Sequence, residues 1–198
     1  MAEIGETRKK GGLLKTGQTT QYGGYEDDGY FEKGLSKRYT ILTAGQHAGT
    51  TSITVATKTD LISNNCVYDQ RTKLMWSRYP TDALGPSDDG RMPWTTDGNG
   101  HGIFAFVAAA NAAKLGGYAD WRVPNDLELP SLRDMEAPNA KPDETAFPSF
   151  PITDRIWCST TMPVVVTMAM HAFFNYGSIS FDDKGDTNFI LPVRGGWL

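Results

Sequence analysis

The chain has 198 residues and a net charge of −4, with 21% charged and 39% hydrophobic residues, a balance that fits one folded domain with room for an appendage and argues against wholesale disorder. A net negative charge exerts no general pull on phosphate backbones, so nucleic-acid binding is not expected. No apolar run reaches the roughly 18 residues of a membrane span, and the opening MAEIGETRKKGG has no apolar signal-peptide core, so a role outside the cell implies another exit, such as release with a lysing virus particle.

Residues 1–55 are rich in Gly, Thr and Tyr, and KTGQTTQYGGYEDDGYFEKG carries turn chemistry every few residues. This spacing predicts an extended or β arm for assembly or attachment, followed by a main domain over residues 56–198. The basic cluster Arg8, Lys9 and Lys10 reads as a solvated part of that arm. RYTILT and TSITVAT are β-branched and alternating, which predicts strands, and NNCVYDQRTKLMWSRY reads as strand, turn at Asp69–Thr72, strand. A long polar loop, TDALGPSDDGRMPWTTDGNGHG, carries Trp94. The alanine-rich IFAFVAAANAAKL predicts a helix over residues 103–115, with Lys114 at its negative end and Gly116–Gly117 as a left-handed stop. A second helix is expected from Asn125, where Glu128 completes a capping box; Pro130 makes it short or kinked through SLRDM. Beyond it, RIWCSTT, VVVTMAMHAFF, GSISF and TNFILPVR read as strands of an antiparallel meander, with Gly177 and Gly185 at turns. The expected class is α+β, with two helices packed on the meander.

These residues, taken in order, carry a resemblance. TGQT, DDG and EKG are followed by CVYDQRTKLMW, LGGYADWRVPN, ELPSLRDM, WCSTT and a closing PVRGG. The series resembles the Lcl C-terminal domain family, named for collagen-like bacterial adhesins, over nearly the whole chain. The resemblance implies a C-type-lectin-like fold and a homotrimeric recognition tip. It also implies kinship with proteins whose C-terminal segment is varied by diversity-generating retroelements. Two positions depart from the family's habit: Cys158 stands where Ser is usual, and Pro130 replaces a more helix-compatible residue. Within LGGYADWRVPN, Trp121 reads as a buried anchor, Asp120 and Arg122 as its ion-pairing flanks, and Pro124–Asn125 as the launch of the next element. Trp76 and Trp157 read as core aromatics.

In TMAMHAFF, Met170, Ala172 and Phe174 share one strand face, and Ala169, His171 and Phe173 share the other. If the meander packs by one face only, the second shows His171 and Phe173 to solvent; a subunit contact or a two-sided core would instead cover them. The resemblance maps a variable segment onto residues 162–189, with Ala172, Phe174, Gly177, Ile179 and Lys184 as fixed scaffold. The candidate ligand contacts it implies are Val164, Val166, Met168, His171, Phe173, Tyr176, Ser180, Asp183, Asp186 and Asn188.

Catalytic and metal signatures are not found. His47, His101 and His171 have no ligand spacing, and DDKGDTN lacks the length and the closing Glu of a calcium loop, so no cofactor is expected. Cys66 and Cys158 are either buried free thiols or one long-range disulfide. Formylglycine-generating enzymes share the lectin-like fold class, but their close cysteine pair has no match here. The expectation is a non-enzymatic, trimeric recognition protein on a cell surface or virion, binding a surface glycan or protein without membrane insertion. The alternative is a structural virion decoration or tail-tip protein whose apolar strand face seals a subunit interface.

Overall fold

In a computed structural model, residues 18, 20, 39–42, 66–70, 72–78, 90–95, 100–148 and 150–195 are described. TSITVAT, His47 and most of the expected N-terminal arm lie outside them. A four-stranded antiparallel sheet has the order β1-β2-β3-β9, from Tyr39–Leu42, Cys66–Asp69, Leu74–Ser77 and Val193–Gly195. A second antiparallel sheet holds β5 (Arg155–Thr161), β6 (Met168–Phe173) and β7 (Ser178–Asp183). A two-stranded ribbon pairs β4 (Met92–Pro93) with β8 (Thr187–Asn188). The expected turn between β2 and β3 closes through the Lys73 N–H on the Asp69 carbonyl at 2.9 Å, with the Thr72 hydroxyl on the Asp69 carboxylate at 2.8 Å.

The single α-helix among the described residues is α1, Ile103–Ala112. Its buried residues Ile103, Phe106, Val107 and Ala110 have the spacing of one helical stripe. It ends earlier than composition predicts, because Lys114 already turns left-handed (φ 52°), ahead of Gly116 and Gly117. The second helix is corrected more strongly. Asn125 and Glu128 do form the capping box: Asn125 Oδ1 accepts the N–H groups of Leu127 and Glu128 at 2.9 and 2.8 Å, and Glu128 Oε2 accepts the Asn125 N–H at 3.0 Å. Beyond the box the chain makes one turn and then a short 3-10 segment, Leu129–Leu132. By restarting there, the chain puts Pro130 in a first turn, where its missing N–H costs no bond. Asn125→Ala should lower stability by about 1 kcal/mol in urea unfolding, the usual cost of losing a cap.

Two cores hold these elements together. One gathers Cys66, Met75, Met92, α1, Leu115, Trp121, Trp157 and Ala169. The other gathers Val67, Leu74, Trp76, Leu129, Leu132, Phe147, Ile156, Cys158, Ala172, Phe174 and Val193. Adjacent strand residues therefore enter opposite cores, and the β5-β6-β7 sheet is covered on both faces at its centre. Of the alternatives the sequence leaves open for this face, the structure shows the two-sided core. TNFILPVR is not the fourth strand of the meander: Asn188 pairs with Met92, Phe189 bridges Ile156, and Val193 pairs with Trp76. The last strand thus closes the sheet that the first strands began. Cys66 and Cys158 are buried free thiols in separate cores, which settles the disulfide question, and burial pushes the Cys66 thiol up to about 12 and that of Cys158 higher still.

The WRVPN stretch ties these layers together. Trp121 is buried and donates its Nε1–H to the Leu115 carbonyl at 2.7 Å, while the Asn111 side-chain amide bonds its backbone N–H and carbonyl. Arg122 pairs through its backbone with Val193 and forks onto Glu128 with two bonds of 2.6 Å. Asp120 receives a matching fork from Arg194, whose guanidinium also lies 3.5 Å from the Tyr118 ring centre. Glu128 is half buried, and burial alone would raise its carboxyl; the Arg122 guanidinium and the Asn125 N–H outweigh that and hold it below 4.5.

Candidate functional site

The connection between β5 and β6 forms an anchored tip. Thr161 pairs with Ala169, so residues 162–168 must reverse the chain. The Met162 N–H bonds the Met168 carbonyl at 3.0 Å, and the Met168 N–H bonds the Val165 carbonyl at 2.9 Å. VVV, expected as strand, is therefore turn. Val164 is 86% exposed and Val166 69%, with Pro163 and Thr167 also exposed. A second turn, Lys184–Asp186, lies against this tip, its Lys184 N–H bonding the Thr167 carbonyl at 2.9 Å.

Trp94 fastens the two turns to the frame. Its indole N–H donates to the Cys158 carbonyl at 2.8 Å, its ring meets Phe104 edge-on at 4.8 Å, and the Lys184 ammonium sits 4.0 Å from its ring centre. Lys184 also donates to the Thr161 hydroxyl at 2.9 Å, and its carbonyl accepts the Trp94 N–H at 3.0 Å. The polar loop around Trp94 thus supplies a clamp that sequence reasoning did not assign. The signal for it is a tryptophan directly after Met92–Pro93 in an otherwise hydrophilic stretch.

The ten candidate contacts do not form one face. Val164, Val166, Met168, Asp183 and Asp186 gather at the tip, where Met168 pairs with Asp183. Phe173 pairs with Ser178 at the other end of the hairpin, about 17 Å away along the strand. There it meets Tyr176, 76% exposed, ring edge to ring face at 5.3 Å. Ser180 is exposed between the two ends. His171 and Asn188 differ from the rest in being buried, at 2% and 5% exposed. His171 faces Trp157 across the strands and lies 3.5 Å from Asp182, which also accepts the Asn188 amide at 2.9 Å. Ala172, Phe174 and Gly177 are buried, Ile179 packs on the second core, and Lys184 joins the turns. Gly177 has φ 61°, and a Cβ there would stand 3.1 Å from that of Ala140.

Near the Phe173 end, a polar cleft of about 270 Å³ is lined by Arg91, Asp154, Arg155, Phe173 and Asn188 among others. Arg91 pairs with Asp154, and the Arg155 guanidinium lies 3.4 Å from Asp182. Of the lining residues, Phe173, Thr187 and Asn188 fall inside the segment singled out from sequence, and Arg91, Thr153, Asp154 and Arg155 precede it.

No group of three or more His, Cys, Asp or Glu side chains that could hold a metal occurs among the described residues. No helix among them is long and apolar enough to cross a membrane. No curated protein matches the chain. The Lcl C-terminal domain family, however, matches residues 65–194, about two thirds of the chain, from β2 through the closing strand. The sheet closure, the WRVPN brace and the anchored tip all fall inside the match, and the chain belongs to the Lcl C-terminal domain family, whose members are surface-associated and adhesin-like.

Proposed function

We propose that this chain is a non-enzymatic recognition domain of the adhesin type, carried as a homotrimer on a phage particle or bacterial surface, with the valine tip as its contact. The observation that carries this reading is the tip itself: exposed valines held on a bonded turn, clamped by Trp94 and Lys184. A rigid apolar projection loses little entropy on binding, and apolar residues so displayed favour a partner surface over water. The C-type-lectin-like character and retroelement-driven variation of residues 162–189 belong to the same proposal. The variation draws support from the burial of Ala172, Phe174 and Gly177 beside the exposure of Val164, Val166, Tyr176, Ser180, Asp183 and Asp186. Three copies of one weak site gain by rebinding at high effective concentration.

The non-enzymatic reading draws on the two buried thiols, which lie in different cores and are unlike a reactive cysteine pair. The structural-virion alternative needs an open apolar strand face, and Ala169 and His171 on that face are sealed within the protomer. The double variant Val164→Ser, Val166→Ser separates the two. It should lose binding to host-cell surfaces while keeping its melting temperature and oligomeric state. An oligomer or particle that falls apart, with surface binding kept, overturns the recognition reading.

A further inference from the structure

The β5-β6-β7 sheet has one open side. The outer edge of β5 is covered by Phe189, whose N–H bonds the Arg155 carbonyl and whose own carbonyl accepts the Trp157 N–H. Among the described residues, β7 has no neighbour beyond β6. The Lys184 N–H bonds the Thr167 carbonyl, and Met168 turns its N–H and carbonyl away from β7, to Val165 and Met162. Bonded pairs alternate along an antiparallel ladder, so Asp182, Ser180 and Ser178 bond β6 through their backbones. Ile179, Phe181 and Asp183 therefore turn their backbone N–H groups outward. The Phe181 side chain is 44% exposed. At the far end Asp183 and Asp186 are exposed and make no ion pair among the described residues.

An edge of this kind accepts an extended segment as an added strand. We propose that its occupant is residues 8–17 of the same chain, which lie outside the described residues. The first ground is where the arm meets the body. Glu136 holds the Thr20 N–H at 3.2 Å and its hydroxyl at 2.6 Å, and the Sδ of the adjoining Met135 lies 3.5 Å from where a Gly177 Cβ would stand. Thr20 is thus anchored near the start of β7. A segment running back from it lies antiparallel to β7, and ten extended residues reach about 33 Å, against about 20 Å for the six residues of β7. The second ground is charge. Arg8, Lys9 and Lys10 complement Asp183 and Asp186, whereas a second copy's β7 would bring the same carboxylates to the edge. The third is register. Pairing Thr16 with Ile179, Leu14 with Phe181 and Gly12 with Asp183 meets the outward groups with no proline in the way and lays Leu14 beside Phe181. It also carries the basic cluster to the Lys184–Asp186 turn, which lies against the valine tip. The added strand stands whether or not the tip binds anything.

Amide hydrogen exchange in the isotope-labelled full chain tests this. The N–H groups of Ile179 and Phe181 should exchange slowly in the parent, although they face away from β6. Leu14→Pro removes the N–H that bonds the Phe181 carbonyl, and should speed both by about tenfold. The charge-reversed protein Arg8→Glu, Lys9→Glu, Lys10→Glu should speed them as well, with the His171 amide of β6 unchanged in both variants. In a second full-chain variant, Lys15→Cys with Ser180→Cys, the two thiols stand opposite each other and should close within one chain under mild oxidation. The native Cys66 and Cys158 are buried and stay out of that reaction. The proposal is overturned if Ile179 and Phe181 exchange freely in the parent, or if either arm variant exchanges as slowly as the parent. Cross-links that join two copies, or none at all, overturn it too.

Discussion

Replacing Trp121 with alanine should remove about 3–5 kcal/mol of stability, the cost of emptying a buried large aromatic site. A domain has only about 5–15 kcal/mol in total, so the variant will be marginal or unfolded. The effect is large because the indole fills the first core while its N–H satisfies the Leu115 carbonyl, just where the chain leaves α1 through Lys114. Its backbone is held by Asn111, and the next residue, Arg122, joins the closing strand at Val193. Loss of the ring therefore loosens the helix exit and the sheet closure together. Trp121→Phe keeps much of the packing and removes the bond, and should cost about 1–3 kcal/mol. Urea unfolding measures both. A Trp121→Ala cost under about 1 kcal/mol would show that the brace is not structural.

Mild acid should weaken the β5-β6-β7 sheet through His171. Burial is the main influence and pushes its imidazole below 6.5; Asp182 pulls it back, and Arg155 pushes it down further. Trp157 packs beside it from β5 and the ring is buried, so the charge of a second ring proton would be held away from water. A histidine with a depressed folded-state value is protonated more readily when unfolded. Its neutral form contributes full stability above about pH 6.5, and stability falls as pH drops from 6.5 toward the lower folded-state value. Glu128 and Asp120 also titrate below their usual values, but their contribution is lost only at more acid pH, below 4.5 and 3.8 respectively. The two windows are therefore separable. Chemical unfolding at a series of pH values should show a decline starting near 6.5 in the parent and none there in His171→Gln, with both declining below about 4.5. An unchanged decline near 6.5 in His171→Gln would remove His171 from the explanation.

Local chemistry made parts of this architecture legible. Asn125 with Glu128 announced a cap, Asp69 through Thr72 a turn, and RIWCSTT a strand, because each depends on a few neighbouring residues. Alternation in TMAMHAFF sorted its residues onto faces correctly, but a face does not reveal what covers it. The closing segment supplies that cover by crossing to β4 and β3, a long-range choice that no local pattern encodes. The triple valine has strong strand preference, yet an antiparallel partner on each side requires reversal somewhere, and Pro163 with the Met162–Met168 bond sets it there. For the candidate site, the scaffold positions came from the family resemblance, and of them Ala172, Phe174 and Gly177 are buried. The clamp and the cleft were not legible, since Trp94, Arg91 and Arg155 come from outside the segment and meet it only in three dimensions.

The most direct measurement places a photoreactive residue at Val164 in one protein and at Lys114, exposed beyond the end of α1, in another, and cross-links each to the cell surface it binds. Adducts with a surface component are expected from position 164 and none from 114. Adducts from 114 alone, or efficient surface binding with position 164 silent, would contradict the claim that the anchored valine tip is where this domain meets its partner.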